Sequence, residues 1–90
     1  MAVAGETTAT ITVRIDVGFG NCLFIRGEGE GLNWDKGQPL VCMDGFTWTW
    51  SCRPAKEPVT FKLLINDQVW SRGENYEVAA GGQIEVEPGF

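Results

Sequence analysis

The 90-residue sequence has no histidine and only seven lysine and arginine residues, against twelve aspartate and glutamate residues. Without histidine, the general base of Ser-His and Cys-His nucleophile pairs is missing. The net charge of −5 and the scattered basic residues argue against a nucleic-acid partner, because phosphate binding needs clustered Lys and Arg side chains. Anionic membranes are disfavoured for the same reason. A neutral ligand is compatible with this charge.

Long apolar runs are also missing. No stretch approaches the roughly 20 residues of a membrane span. Residues 1–8 carry neither the basic segment nor the apolar segment of a signal peptide. We therefore expect a cytoplasmic protein, unless the chain is a fragment of a larger one. Ninety residues have room for one core, so residues 1–90 are expected to form a single domain.

Cysteine is scarce as well, with three residues at Cys22, Cys42 and Cys52. Their spacing matches no zinc motif and the acidic residues match no calcium loop, so we expect neither a metal nor a cofactor. A two-residue hairpin turn at Asp44-Gly45 would place Cys42 opposite Thr47. Cys52 would then lie roughly 17 Å from Cys42, beyond the reach of a disulfide. The sequence predicts free, mostly buried thiols.

Apolar residues alternate with polar ones, and no segment has helical periodicity. In residues 8–17 every second residue is apolar, and the residues between them are Thr, Arg and Asp, as is typical of a strand. Similar segments follow at short spacing between turn residues. The predicted strands are 8–17, 22–26, 39–43, 46–52, 59–65, 69–70, 76–78 and 83–87. This pattern predicts an all-β, antiparallel β-sandwich of about seven strands.

Two of the four tryptophans are predicted to lie in the core. Trp48 and Trp50 share one face of the predicted strand 46–52 with Phe46 and Cys52. Large aromatic residues at every second position of a strand are typical of the inner wall of a sandwich. Replacement of either tryptophan by alanine is expected to threaten folding.

The other two tryptophans, Trp34 and Trp70, are candidates for a binding surface. Trp34 lies in a loop rich in glycine and acidic residues at 27–37, and Trp70 follows a predicted turn. An indole ring is a large apolar plate with one polar N–H group, so an exposed one leaves apolar area in water. If the two rings meet, they offer a surface to a flat, partly hydroxylated ligand such as a sugar ring.

The orientation of Trp70 depends on the length of the turn before it. With a two-residue turn, Trp70 lies opposite Leu63 and faces the core. With a three-residue turn or a bulge at Val69, Trp70 lies opposite Leu64 and shares the outer surface with Lys62. The alternation of apolar residues leaves both registers open.

An active site is not expected. Glu28, Glu30 and Asp35 are carboxylates of the type that glycosidases use, but those enzymes need two acids facing each other across a cleft. A 90-residue sandwich has little depth for such a cleft. Glu28 and Glu30 would also repel a phosphate group from the glycines beside them. We interpret these acids as residues that keep an exposed loop soluble.

Several segments, taken in order, resemble the starch-binding domains of carbohydrate-binding module family 20 and the related glycogen-binding modules of family 48. They are Leu-Phe-Ile-Arg-Gly at 23–27, Gly-Leu-Asn-Trp-Asp at 31–35, Trp48 ahead of Pro-Ala-Lys-Glu at 54–57, Phe-Lys-Leu at 61–63, and Trp70 with Asn75. Their order and spacing follow the family from about residue 9 to residue 87.

The resemblance implies an immunoglobulin-like β-sandwich that binds α-glucans without catalysis. It assigns stacking on consecutive glucose units to Trp34 and Trp70, and hydrogen bonding to Lys62 and Asn75. It therefore favours the register that turns Trp70 outward. The implied partners are an α-glucan and a fused or associated glucan-active enzyme. The alternative is a protein-interaction or structural sandwich that kept the fold without glucan binding.

The sequence also departs from the family. Ser71 stands where the family often has an acidic residue after its second tryptophan. No clear counterpart of the family's second, tyrosine-containing glucan site is present.

Overall fold

The computed structural model describes residues 8–90, so the prediction about a signal peptide, which concerns residues 1–8, lies outside the described residues except for Thr8. Residues 8–90 form strands and no helix, and therefore contain no helix able to cross a membrane. The strands are β1 (Ala9–Arg14), β2 (Leu23–Glu28), β3 (Gln38–Pro39), β4 (Val41–Asp44), β5 (Thr47–Cys52), β6 (Val59–Ile65), β7 (Val69–Trp70), β8 (Tyr76–Val78) and β9 (Gln83–Val86).

These strands form two sheets. The first has the order β4-β5-β1-β9, and the second has the order β3-β2-β6-β7 with β8 also paired to β6. The all-β prediction is confirmed. Within residues 8–90 the pairings are antiparallel except that β1 and β9 run parallel. The first and last strands are too far apart in the chain for a hairpin signal to reveal this pairing.

The core lies between the two sheets and takes alternate residues from the longer strands. The predicted inward faces of β1 and β6 are confirmed for the residues that are fully buried in those strands, whereas Ile65 at the end of β6 is only partly buried. Ile15 and Val17, which follow the end of β1, are only partly buried against the core. The completely buried side chains of the core cluster are Ile11, Val13, Leu23, Ile25, Val59, Phe61 and Leu63.

Trp48 and Trp50 belong to this core, as predicted, with exposed fractions of 6% and 8%. The Trp50 Nε1 group donates a hydrogen bond of 3.1 Å to Gln38 Oε1, which links β5 of the first sheet to β3 of the second. The buried Trp48 Nε1 group has no hydrogen-bond partner within residues 8–90. The prediction that Phe46 shares this buried face is wrong, because Phe46 is exposed.

The position of Phe46 follows from the turn between β4 and β5. Asp44 pairs with Thr47, and a bulge between Cys42 and Asp44 shifts the earlier register so that Cys42 pairs with Trp48. The predicted Asp44-Gly45 turn is therefore wrong by one residue. The Asp44 carboxylate accepts the Phe46 N–H at 2.8 Å, a local bond that holds Asp44 at the start of the turn.

The three cysteines are free, as predicted, but they are not mostly buried. Cys22 and Cys42 are exposed, and Cys52 is half-buried. Cys22 lies in the loop before β2, and Cys42 lies on β4, the edge strand of the first sheet. Positions at loops and sheet edges leave one side of a residue open to water, which the alternation of apolar residues does not report.

Candidate functional site

The β6–β7 hairpin turns Trp70 outward. Ile65 pairs with Val69 and Leu64 pairs with Trp70, so the connecting loop holds three residues. Trp70 consequently shares the outer surface with Lys62, which is the register that the family resemblance favours. The exposed fraction of Trp70 is 43%.

The loop reaches this length through its backbone conformation. Asn66 and Asp67 have φ values of 54° and 56°, and the Gln68 N–H donates to the Ile65 carbonyl at 3.0 Å. Two consecutive residues with positive φ are the mark of a type I′ turn, and Asn and Asp tolerate this conformation well. Gln68 is then one additional residue before the pairing with β7 begins.

The second tryptophan is presented by a tight turn in the loop that follows β2. The Asn33 Oδ1 atom accepts the backbone N–H groups of Asp35 and Lys36 at 2.9 and 2.7 Å. This Asx-type turn places Trp34 at its bend. Leu32 is buried in the core directly before the turn. The loop is therefore anchored on one side, and Trp34 is held half-buried at its surface.

Glu30 anchors the same loop at its beginning. Its carboxylate accepts the backbone N–H groups of Lys56 and Glu57, and the Glu57 carboxylate accepts the Glu30 N–H at 2.8 Å. These reciprocal bonds connect the loop after β2 to the segment before β6. Glu30 is thus a structural residue rather than a solubilising one, and sequence reasoning missed this role because its partners lie 26 and 27 residues away.

The structure brings the two tryptophans into contact. The ring centroids of Trp34 and Trp70 lie 6.4 Å apart, and the ring planes differ by 28°. This distance is within the range of favourable aromatic pairs. The rings form one apolar surface on the outer side of the second sheet.

A small apolar layer lies beneath this surface. Leu64 is fully buried although it lies on the outer face of β6, where Phe24 of β2 and Trp70 of β7 are its cross-strand neighbours. The loop that carries Trp34 passes close to this layer, because a Cβ atom on Gly37 would lie 3.0 Å from Phe24 Cβ. The sequence contained one indication of this layer: Leu64 is an apolar residue on the face of the predicted strand 59–65 that otherwise carries polar residues.

Arg26 connects the parts of the site, and sequence reasoning did not single it out. Its Nε atom lies 2.9 Å from Asp67 Oδ1, and its Nη2 group donates to the Asp67 carbonyl at 3.1 Å. Its Nη1 group donates to the Trp34 carbonyl at 3.1 Å. The guanidinium carbon lies 5.3 Å from the centroid of the Trp70 ring, a cation–π contact.

The hydrogen bond from Arg26 lowers the pKa of the Asp67 carboxyl below its usual value. The Gly37 N–H, which donates to Asp67 Oδ2 at 3.1 Å, and the positive charges of Arg26 and Lys36 act in the same direction, whereas burial opposes them. Because the folded state favours the ionised carboxylate, ionisation of Asp67 stabilises the fold at neutral pH. This stabilisation is lost as the pH falls through the lowered pKa.

We expect the Asp67→Asn variant to show this dependence directly. Asparagine tolerates the positive φ of the turn but cannot carry the charge. The difference in unfolding free energy between wild type and Asp67→Asn should be largest at neutral pH. It should shrink below about pH 4, where the aspartate of the unfolded chain takes up a proton, and disappear once Asp67 is protonated in the folded state as well. Urea unfolding at a series of pH values measures it. A difference that stays constant down to acidic pH would contradict the prediction.

Lys62 lies on β6, and Asn75 lies in the segment between β7 and β8. Lys62 lies opposite Arg26 in the pairing of β6 with β2, two residues before Leu64. Its Nζ group donates to the Gly73 carbonyl at 2.8 Å, which ties it to the segment between β7 and β8. That segment carries Asn75, whose side chain is exposed.

Ser71, which stands where the family often has an acidic residue, has a structural role. It is 2% exposed, and its Oγ atom accepts the Leu63 N–H at 3.2 Å. Its own N–H donates to the Leu63 carbonyl at 2.8 Å, so it extends the β7 pairing by one residue. A buried side chain at this position does not reach a ligand on the outer surface.

Comparisons with known proteins support the fold. No protein-family model matches the sequence, and no curated protein matches it. The structure resembles part of a glycoside hydrolase family 15 glucoamylase from Hypocrea jecorina, with a TM-score of 0.72 and 17% sequence identity. The match covers 99% of this chain and 18% of the glucoamylase chain. The two proteins share a fold over this region.

A second apolar surface lies beside the β1–β2 loop and the β4–β5 turn. An open cavity of about 740 Å³ is lined mainly by apolar side chains, among them Val17, Leu40 and Trp48. Phe19 and Phe46 stand at this cavity with exposed fractions of 96% and 65%. Sequence reasoning missed it because it placed Phe46 in the core.

Proposed function

We propose that this chain is a non-catalytic binding domain for α-1,4-glucans such as starch, glycogen and maltooligosaccharides. Trp34 and Trp70 form the stacking surface, and Lys62 and Asn75 donate hydrogen bonds to sugar hydroxyls. The observation that carries the proposal is the contact between the two rings, 6.4 Å apart and 28° from parallel, with Trp70 43% exposed.

The chemistry of a glucose ring fits this surface. Its C–H groups form an apolar face, while its hydroxyl groups point outward from the ring edge. An α-1,4-glucan chain curves, so its neighbouring sugar rings are tilted relative to each other. Two indole rings that are also tilted relative to each other fit this curved chain better than they fit an extended, flat glucan chain. The Lys62 ammonium group has three donors and uses one of them on Gly73, which leaves two for hydroxyl groups.

The likeness to a glucoamylase, which is named as a glycoside hydrolase, supports a carbohydrate ligand together with the family resemblance of the sequence. A non-catalytic role is supported by the chemistry of the side chains. The Glu30 carboxylate is occupied by backbone N–H groups. Burial raises the pKa of the Cys52 thiol, and the nearby Glu30 and Glu57 carboxylates raise it further, which keeps the thiol a poor nucleophile.

The site favours weak binding. Two stacking rings and a few exposed hydrogen bonds correspond to a Kd on the order of micromolar to millimolar. A fused or associated glucan-active enzyme would gain targeting through such a domain by avidity. A cytoplasmic location remains a prediction from the sequence.

We expect maltoheptaose to change the tryptophan fluorescence of the wild-type protein in a saturable way. Trp34→Ala and Trp70→Ala should each weaken binding by about tenfold or more, because each removes one stacking ring. Calorimetric titration gives the affinity of the variants, and circular dichroism verifies that they are folded.

Phe19→Ala is the matched control, because it removes an exposed aromatic ring of the β1–β2 loop that is not part of the Trp34–Trp70 pair, and it should leave maltoheptaose binding unchanged. Cellohexaose, a β-1,4-glucan, tests the linkage and should bind more weakly. No response of wild type to maltoheptaose would refute glucan binding. A response that survives in both folded tryptophan variants would refute the assignment of the site.

A protein-interaction module is the second candidate, and the exposed apolar surface around Phe19 and Phe46 favours it. Its occupant would be a polypeptide rather than a sugar. A purified partner whose binding is lost in Phe19→Ala and retained in Trp70→Ala would support this function. The same pair of variants tested with maltoheptaose should give the opposite result.

A further inference from the structure

We propose that Arg26 is a positioning residue, which holds Trp34 and Trp70 in the relative orientation that binds glucan. The inference rests on the proposed function of the two rings. It assigns a role to a residue that itself need not touch the sugar.

Arg26 belongs to none of the elements that carry the two rings. It lies on β2, whereas Trp70 lies on β7 and Trp34 lies in the loop after β2. Its guanidinium group binds the Trp34 carbonyl at 3.1 Å and lies 5.3 Å from the centre of the Trp70 ring. One rigid group therefore contacts both presenting elements at the same time.

Asp67 fixes the guanidinium group in this position. Oδ1 accepts from Arg26 Nε at 2.9 Å, while Oδ2 accepts the Gly37 N–H at 3.1 Å. The carboxylate thus joins β2, the β6–β7 hairpin and the end of the loop that carries Trp34. The side chains of Arg26 and Asp67 are 17% and 25% exposed, so water screens their attraction less than it screens a surface pair.

The arrangement depends on the shape of arginine and not on its charge alone. Its planar group presents several N–H donors in fixed directions, and here they reach Asp67 and Trp34 together. A lysine ammonium group is a compact point charge and cannot reproduce this fork. In the Arg26→Lys variant the new ammonium group would not be held in place by Asp67 in the same way, and Lys62, which lies directly opposite on β6, would repel it.

The test separates ring orientation from glucan binding. The variants are Arg26→Lys, Arg26→Gln and, as a matched control, Arg14→Lys, which makes the same exchange in the exposed ion pair with Glu85 on the first sheet. The orientation is measured without ligand as the exciton couplet of the two indoles in the circular dichroism spectrum. The couplet is identified by subtracting the circular dichroism spectrum of Trp70→Phe from that of wild type. Maltoheptaose affinity is measured by calorimetric titration, and urea unfolding verifies the fold.

We expect folded Arg26→Lys and Arg26→Gln to lose most of the couplet and to bind maltoheptaose about tenfold more weakly. Arg14→Lys should resemble wild type in both measurements. A couplet that is absent from wild type, or that persists in both Arg26 variants, would overturn the proposal, as would full affinity without the couplet. If wild type binds no glucan, the proposed function fails, and the couplet alone still decides whether Arg26 orients the rings.

Discussion

Replacing Gly27 by alanine is expected to destabilise the protein by about 3 kcal/mol or more. A Cβ atom at this position would lie 2.1 Å from the Thr60 carbonyl oxygen and 2.9 Å from Phe61 Cα. Both atoms belong to the backbone of β6, which cannot move aside as a flexible side chain does. Since β2 pairs with β6 along its whole length, the strands would have to separate locally.

The same change should disturb the candidate site. The Gly27 N–H donates to the Asn33 carbonyl at 3.1 Å, immediately before Trp34. Urea unfolding measures the loss of stability, which for a domain of this size is a large part of a total of roughly 5–13 kcal/mol. Gly45→Ala is the matched control, because no atom lies within 4 Å of a Cβ there, and its effect should stay within about 0.5 kcal/mol. Equal midpoints for the two variants would contradict the argument.

Most strands were predictable from the sequence because they depend on local alternation, but the predicted strand 39–43 is divided at Leu40 between β3 of the second sheet and β4 of the first. In β1 and β6 every second residue is apolar, and all of these residues except the partly buried Ile65 are buried between the sheets. A strand with one buried face must follow this period, since successive side chains point to opposite sides. The parallel pairing of β1 with β9 was not predictable in this way, because it joins the two ends of the described chain.

The sequence limited the orientation of Trp70 to two possible registers of the β6–β7 hairpin, but it did not determine which of the two is correct. The register depends on Gln68. Asn66 and Asp67 form the turn with positive φ values, and Gln68 is one additional residue between this turn and β7. Both registers satisfy the alternation of apolar residues, because β7 is only two residues long. The family resemblance supplied the preference that the residues alone could not.

Arg26 and Glu30 show where sequence reasoning stops. Arg26 binds Asp67, which is 41 residues away, and Glu30 binds backbone groups 26 and 27 residues away. The sequence alone indicates that the charged side chains of Arg26, on a strand, and Glu30, between two glycines, need hydrogen-bond partners. Only the register of β2 with β6 and the path of the loops determine which partner it finds.

Replacing Trp50 by alanine is expected to destabilise the protein by about 3–5 kcal/mol, which leaves a domain of this size near unfolding. The ring is 8% exposed and belongs to the core between the sheets. Its loss also frees Gln38, whose Oε1 atom accepts from Trp50 and whose Nε2 group donates to the Gly31 carbonyl. Thermal and urea unfolding should both show the loss. A variant with wild-type stability would refute the core position of Trp50.

Replacing each core tryptophan by phenylalanine separates the hydrogen bond from the volume of the ring. Trp50→Phe and Trp48→Phe both keep a large aromatic side chain and remove an indole N–H group, which is part-buried at Trp50 and buried at Trp48. At Trp50 the change breaks a bond to Gln38, whereas at Trp48 it removes a donor without a partner within residues 8–90. A buried donor without a partner costs about 1–3 kcal/mol. We therefore expect Trp50→Phe to be the less stable variant by about 1–2 kcal/mol, and the reverse order would contradict this assignment.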